Sequence, residues 1–198
     1  MRYLFIDTET TGLPLRRGAP HTDLHVWPRI VSISWAFYDT PSSDPTYKYN
    51  IIRPQGFTIP PEAAGIHGIS TERAIREGVA LSTVLRALSE DIRGSSPSLL
   101  VAHNMQFDRP IIQAEYIRAG QEEPISMLPV FCTMVSTTEL CRLPPMRNGK
   151  HKWPKLEELH YYLFRMDFSA GHDARADVRA CAKCFFRLQE MGHAPVIG

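Results

Sequence analysis

The run Tyr3-Leu4-Phe5-Ile6 is apolar throughout and then meets two carboxylates, Asp7 and Glu9, separated by a single threonine. Residues 2–6 have the content of a buried strand, and Thr10-Thr11-Gly12-Leu13-Pro14 follows it as a turn. Alternate residues of a strand project to one face, so the D-x-E spacing sets both carboxylates side by side at the end of this apolar segment. Like charges held that close repel each other, and burial raises the cost. A chain that opens this way either frays its strand end into water or brings a cation to it.

The rest of the pattern says what kind of sheet receives this strand. A polar, proline-containing loop over 15–28 leads to a second strand over 29–38. The turn Thr40-Pro41-Ser42-Ser43-Asp44-Pro45 leads to a third over 47–53, and the three read as an antiparallel meander. Helical spacing then takes over: Leu81, Val84, Leu85, Leu88 and Ile92 recur on one face, with Gly94 closing the segment. A short buried strand over 98–102 precedes a helix over 108–119, a fifth strand over 130–135, and helices over 155–164 and 173–191. Antiparallel strands followed by strand–helix alternation predict an α/β domain, a mixed five-stranded sheet with its later strands parallel and helices flanking it. Ligand sites in such sheets gather beyond the carboxyl ends of strands. A length of 198 residues fits one domain over 1–198.

Composition narrows the class without choosing the function. Hydrophobic residues make up 43% and charged residues 22%, which excludes disordered and fibrous chains. The formal net charge of +1 means that any nucleic-acid binding must come from local patches. No stretch approaches the ~18 apolar residues of a membrane helix, and the apolar run before Asp7 is too short for a signal peptide. The expectation is a soluble, cytoplasmic protein whose cysteines, Cys132, Cys141, Cys181 and Cys184, stay reduced. Cys181 and Cys184 form a C-x-x-C, but they fall within a helical pattern that sets both on one face, and no second ligand pair accompanies them. They read as buried small apolar residues rather than as a zinc or redox site.

Two further segments bear on the carboxylate pair. In Val101-Ala102-His103-Asn104-Met105-Gln106-Phe107-Asp108 a buried strand runs into Asn104, and Asp108 opens the next helix. Alone, Asp108 could be no more than an acid favoured by a helix dipole. In Gly171-His172-Asp173-Ala174-Arg175-Ala176-Asp177 the spacing makes Asp173 an N-cap, with His172 just outside the helix and Asp177 on its first full turn. Jointly, four acids and a histidine supply the parts for phosphoryl hydrolysis on two hard cations. Histidine suits the base role because its ordinary pKa lies near neutrality.

These motifs, in this order and spread over most of the chain, resemble the DEDDh exonucleases, the family that includes the proofreading subunit of the bacterial replicative polymerase. Asp7-Thr8-Glu9-Thr10-Thr11-Gly12-Leu13 is similar to the first family motif, His103-Asn104 with Phe107-Asp108 to the second, and His172-Asp173-Ala174 with Asp177 to the third. Trp27-Pro28-Arg29-Ile30-Val31 and Ile66-His67-Gly68-Ile69 also resemble recurring family segments. The resemblance implies a ribonuclease-H-like fold and release of nucleoside monophosphates from single-stranded 3′ ends, DNA favoured over RNA. It implies two divalent cations, Mg²⁺ or Mn²⁺, held by Asp7, Glu9, Asp108 and Asp177, with His172 as general base. Thr10, Thr11, Gly12 and Leu13 would contact the terminal nucleotide, Leu13 wedging against its base, with Asn104 and Phe107 beside the substrate. His67 reads as a structural histidine.

Other features leave alternatives open. The segment 142–155 carries Arg142, Arg147, Lys150, Lys152 and Lys155 around Trp153, with no acid. It suits either a phosphate-tracking loop that stacks a base or an ordinary solvated loop. An RNA-processing or short-oligonucleotide nuclease would use the same acids, and a non-catalytic nucleic-acid-binding module would be expected to have lost some of them. No polymerase-binding tail is evident, although the resemblance admits a polymerase or repair partner.

Overall fold

The computed structural model describes residues 1–145, 149–168 and 173–196. Its strands are β1 (Tyr3–Thr10), β2 (Ile30–Tyr38), β3 (Lys48–Ile51), β4 (Leu99–Ala102) and β5 (Val130–Cys132). Its helices are α1 (Pro61–His67), α2 (Thr71–Glu77), α3 (Leu81–Ser95), α4 (Met105–Arg118), α5 (Thr133–Ser136), α6 (Thr138–Cys141), α7 (Leu156–Phe164) and α8 (Ala174–Glu190). The sheet order is β3-β2-β1-β4-β5. Strands β1 to β3 form the expected antiparallel meander, and β4 and β5 join parallel to β1. This is the mixed five-stranded α/β architecture that the sequence pattern predicts.

β1 is central and apolar on both faces because each face meets a helical layer. Leu4 and Ile6 pack in a core with Leu81, Leu85 and Leu88 of α3 and Ile111 and Ile112 of α4. Tyr3 and Phe5 point the other way, into a core with Leu159 of α7 and Val178, Cys181 and Phe185 of α8. A smaller cluster joins Val31 and Ile51 to Ala63 of α1 and Ala74 of α2. Cys181 and Cys184 are buried as free thiols inside the α8 layer, as the apolar reading requires. Among the described residues, no helix is long and apolar enough to cross a membrane.

Several boundaries differ from the sequence expectation, each for a local reason. β1 continues to Thr10, so Asp7 and Glu9 sit inside the strand rather than past its end; pairing with β2 carries it on through an irregularity at Glu9/Thr10. α3 runs through Gly94 and stops at Ser96, which takes the left-handed turn (φ 47°) that Gly94 was expected to supply. α4 begins at Met105 with Asn104 at its N-cap, placing Asp108 in the first turn instead of at the helix start. The strand expected over 130–135 ends at Cys132, and the chain turns at once into the single-turn helices α5 and α6. Helices α1 and α2 were not anticipated, although their signals are local. Pro61 opens α1, Gly68 closes it at φ 72°, and Ser70 caps α2 by accepting from the Arg73 N–H.

Candidate active site

Three elements bring acids to one place. The odd-numbered positions of β1 face α8, so Asp7 and Glu9 extend the row that Tyr3 and Phe5 begin. α8 starts where Asp173 caps it, accepting from the Arg175 N–H at 2.9 Å, and Asp177 follows on the first turn. Carboxylate oxygens of Asp7, Glu9 and Asp177 all lie within 4.8 Å of one another. Among the described residues, this is the one cluster of His, Cys, Asp or Glu side chains with metal-ligand spacing.

Asp108 arrives from the opposite layer. It is buried at the start of α4, and its Oδ1 accepts from the Thr8 hydroxyl at 2.8 Å, Thr8 being on the even face of β1. It stands outside the close three-oxygen group but within its field, raising the pKa of both Asp7 and Glu9.

The electrostatics give a direct test of whether a cation fits. Burial is the largest cause in each case, and neighbouring carboxylates add to it: Asp7 is held well above the usual carboxylate range, and Glu9 is pushed up to about 8. Burial lifts Asp108 to about 7 against the Thr8 hydrogen bond, while burial, Glu157 and Asp173 lift Asp177 to about 7. Among the described residues no arginine or lysine is a cause of these four shifts, and the guanidinium of Arg175, at the start of α8, is paired with Asp173 at 3.0 Å. Clustered, desolvated oxygens without a protein cation are the donor set that a hard divalent ion satisfies.

A cavity of about 440 Å³ opens beside the acids, its lining including Glu9, Thr10, Thr11, Gly12, Leu13 and Phe107. The loop leaving β1 is tied down locally. The Thr10 hydroxyl donates to the Gly12 carbonyl at 2.7 Å, and Thr11 exchanges hydrogen bonds with the backbone of Arg29. Gly12 has φ 148°, which favours glycine, and Leu13 beyond it is 81% exposed.

The predicted site residues therefore divide. Asp7, Glu9 and Asp177 meet, Asp108 is linked through Thr8, and Thr10 to Leu13 and Phe107 line one cavity. Asn104 does not line it. His172 lies outside the described residues, as does Arg147 of the basic segment. His67 has its expected structural contact, Nδ1 accepting from the Ile69 N–H at 3.2 Å, yet it also lines the cavity with Ile66 and Glu62. That cavity role was missed; the segment Ile66-His67-Gly68-Ile69 was the available signal. Asp173 and Glu157 were missed as further sources of negative field. His103 proves structural: Nε2 donates to the Pro154 carbonyl at 3.0 Å, so Nδ1 accepts from Thr133 at 2.9 Å. Burial lowers its pKa to about 4 and keeps it neutral.

The model of the RNase_T family, described as exonuclease, matches residues 4–185. No curated protein sequence matches the chain. Among solved structures, E. coli Exonuclease I in complex with a dA16 oligonucleotide is similar with a TM-score of 0.71 at 17% identity, over 96% of this chain and 41% of that one. The zinc-bound form of the E. coli Exonuclease I–ssDNA complex gives 0.71 at 18% identity, over 96% and 40%. A moderately thermophilic Exonuclease I from Methylocaldum szegediense gives 0.68 at 21%, again over 96% and 40%. The chain spans about two fifths of the length of these solved chains. The likeness is one of fold, the ribonuclease-H-like arrangement of sheet and helices.

Proposed function

This chain belongs to the RNase_T exonuclease family, and from that premise we propose that it releases nucleoside monophosphates from single-stranded 3′ ends by metal-dependent hydrolysis, DNA favoured over RNA. The observation that carries the proposal is the meeting of half-buried Asp7, Glu9 and Asp177 oxygens within 4.8 Å, with no ion pair to an arginine or lysine among the described residues. The single-stranded DNA bound in the E. coli Exonuclease I structures supports the choice of substrate.

In this reading Asp7, Glu9, Asp108 and Asp177 hold two divalent cations, Mg²⁺ or Mn²⁺. Bound there, such ions would supply Lewis-acid stabilisation to the attacking and leaving oxygens of the phosphodiester. The remaining work falls to the chain. Thr8 donates to one oxygen of Asp108 and holds the carboxylate in place at the head of α4. Thr10, Thr11, Gly12 and Phe107 receive the terminal nucleotide in the cavity, and Leu13 presses against its base. Asn104 steadies the strand's approach from the head of α4. His172, immediately before the Asp173 cap, takes the proton of the attacking water; the new P–O bond forms as the P–O3′ bond breaks, the shortened strand leaves with its 3′ oxygen protonated from solvent, and the mononucleotide keeps the phosphate.

End-labelled single-stranded DNA, duplex DNA and RNA of one sequence, each with and without chelator, test this directly. The expected result is stepwise shortening of the single-stranded DNA from its 3′ end, abolished by chelator. Faster RNA hydrolysis would reassign the substrate, and no cleavage of any 3′-ended strand with Mg²⁺ or Mn²⁺ would remove the nuclease reading. His172→Ala is expected to slow turnover roughly 10²–10⁴-fold; a folded variant at near-normal rate would strip His172 of the base role.

A further inference from the structure

The outer face of α8 carries a feature that hydrolysis does not use. Arg175, Arg179, Lys183 and Arg187 recur every fourth residue and all are exposed, while Val178, Cys181 and Phe185 turn into the core. Successive bases stand about 6 Å apart along the axis, a row of about 18 Å in all. The edge strand β3 runs beside it. The Arg175 guanidinium sits 4.5 Å over the Tyr49 ring, and that of Arg179 lies 5.0 Å over Tyr47, the residue just before β3.

Past Tyr47 the row enters a groove of about 370 Å³ lined by Phe164, Arg179 and Lys183, with Asp44 on its rim. Arg187 also lines it but is held by Glu190 at 2.8 Å, as Arg175 is held by Asp173. Arg179 and Lys183 form no ion pair among the described residues. The groove lies at the end of the sheet away from the acids, since Tyr38 in its wall pairs with Tyr3 at the start of β1. The row therefore starts at the cap beside the catalytic carboxylates and ends in an aromatic groove.

We propose that this row binds the single strand upstream of its terminal nucleotide, with Arg179 and Lys183 on the phosphodiester backbone and Tyr47 and Phe164 offering faces to its bases. The proposal rests on the nuclease reading for its occupant. A regular polyanion bearing flat bases matches a regular row of cations interleaved with rings. An i, i+4 row of charge is what any solvent-facing helix stripe gives; the tyrosine rings under Arg175 and Arg179 and the aromatic groove at the row's end set this one apart.

Fluorescence anisotropy of the full chain, with chelator present so that nothing is cleaved, provides the test. For a labelled single strand of about 12 nucleotides, Arg179→Glu with Lys183→Glu should weaken binding at least about tenfold and flatten the salt dependence by about 1–2 in slope. A labelled dinucleotide should lose less than about twofold, because it does not reach the row. Arg86→Glu with Arg93→Glu on α3 makes the same charge change elsewhere and should leave strand binding within about twofold. Equal losses in both pairs, or equal losses for strand and dinucleotide, would overturn the proposal. So would a row that binds a labelled acidic peptide and not the strand, which would make it a protein-docking face. If the charge reversal unfolds the chain, Arg179→Gln with Lys183→Gln carries the same comparison at smaller amplitude. A chain that binds strands through this row yet cleaves none would sink the nuclease reading and leave this one standing.

Discussion

Two places in this molecule bury carboxylates, and they are built on opposite terms. Glu115 on α4 is 1% exposed, and its charge is answered from within the chain through one oxygen, Oε1, while Oε2 is buried without a hydrogen-bond partner among the described residues. Its Oε1 accepts from Arg29 Nε at 2.9 Å, from the Ile30 N–H at 3.0 Å, and pairs with Arg118 at 3.3 Å. Arg118 also donates to the carbonyls of Leu24, Trp27 and Pro28, so this network ties the long loop after β1 to α4. Across the sheet, Asp7, Glu9 and Asp177 converge, with Asp108 reaching toward them from α4, and among the described residues no arginine or lysine is a cause of their shifts. Desolvating a charge is tolerated when partners compensate it. Where the chain supplies none, the acids keep protons or take a cation from outside, and that difference is what would separate a structural acid from a ligand.

Replacing one acid at each place should therefore move different quantities. The largest effect expected is Asp7→Asn, which removes a proposed ligand without changing shape. Metal-dependent hydrolysis should fall further than the roughly 10²–10⁴-fold expected for losing a general base. The metal-free variant should melt at the same temperature as the parent or higher, since a like charge has gone. Full activity in purified protein would refute the ligand assignment, and a large drop in melting temperature would make Asp7 a structural acid like Glu115. Glu115→Ala should behave in the reverse way. Leaving Arg29 and Arg118 uncompensated should cost about 3–5 kcal/mol in urea unfolding, with activity affected only through the loop that holds Thr11. A loss under 1 kcal/mol (about the worth of an exposed pair) would show that the network is not the structural anchor described.

How much of this is legible in the sequence follows the same division. Strand alternation and helix capping act over a few residues, so Asp7, Glu9 and Asp177 can be assigned to one site from spacing and resemblance, and the mixed sheet from the order of elements. The Glu115 network cannot be read that way. Arg118 is a local partner, but Arg29 and Ile30 stand 86 and 85 residues from Glu115, and nothing local marks Glu115 as buried. Helices α1 and α2 are seven residues each, too short for an amphipathic run to show, and are held by packing of Ala63 and Ala74 against β2 and β3. The cavity role of His67 escaped notice for a related reason, since it depends on α1 lying beside the Thr10–Leu13 turn. The extension of β1 through Asp7 and Glu9 is a tertiary override. Pairing with β2 holds two acids in a strand that their own propensity would end.

The smallest effect expected is also the one that reads the uncompensated acids without any mutation. Asp108 and Asp177 are each raised to about 7 by burial and by neighbouring charge, from an ordinary value of 3.8. Between those limits the folded chain keeps protons that the unfolded chain has lost, so unfolding releases them and stability falls as pH rises. The contribution is fully present below about pH 4 and gone above about pH 7, with a slope of at most about 1.4 kcal/mol per pH unit for each group. Urea unfolding of metal-free protein should thus show stability declining between pH 5 and pH 7, against the usual trend for paired carboxylates. Added Mg²⁺ or Mn²⁺ should flatten that decline, because an ion that binds only the folded, ionised acids stabilises by mass action, by about 2.7 kcal/mol at a hundredfold excess over its Kd. The Asp7→Asn variant should show a shallower decline and a weaker response to the ion. A metal-free chain whose stability instead rises through this range would mean that its acids are answered from within, and the contrast with Glu115 would disappear.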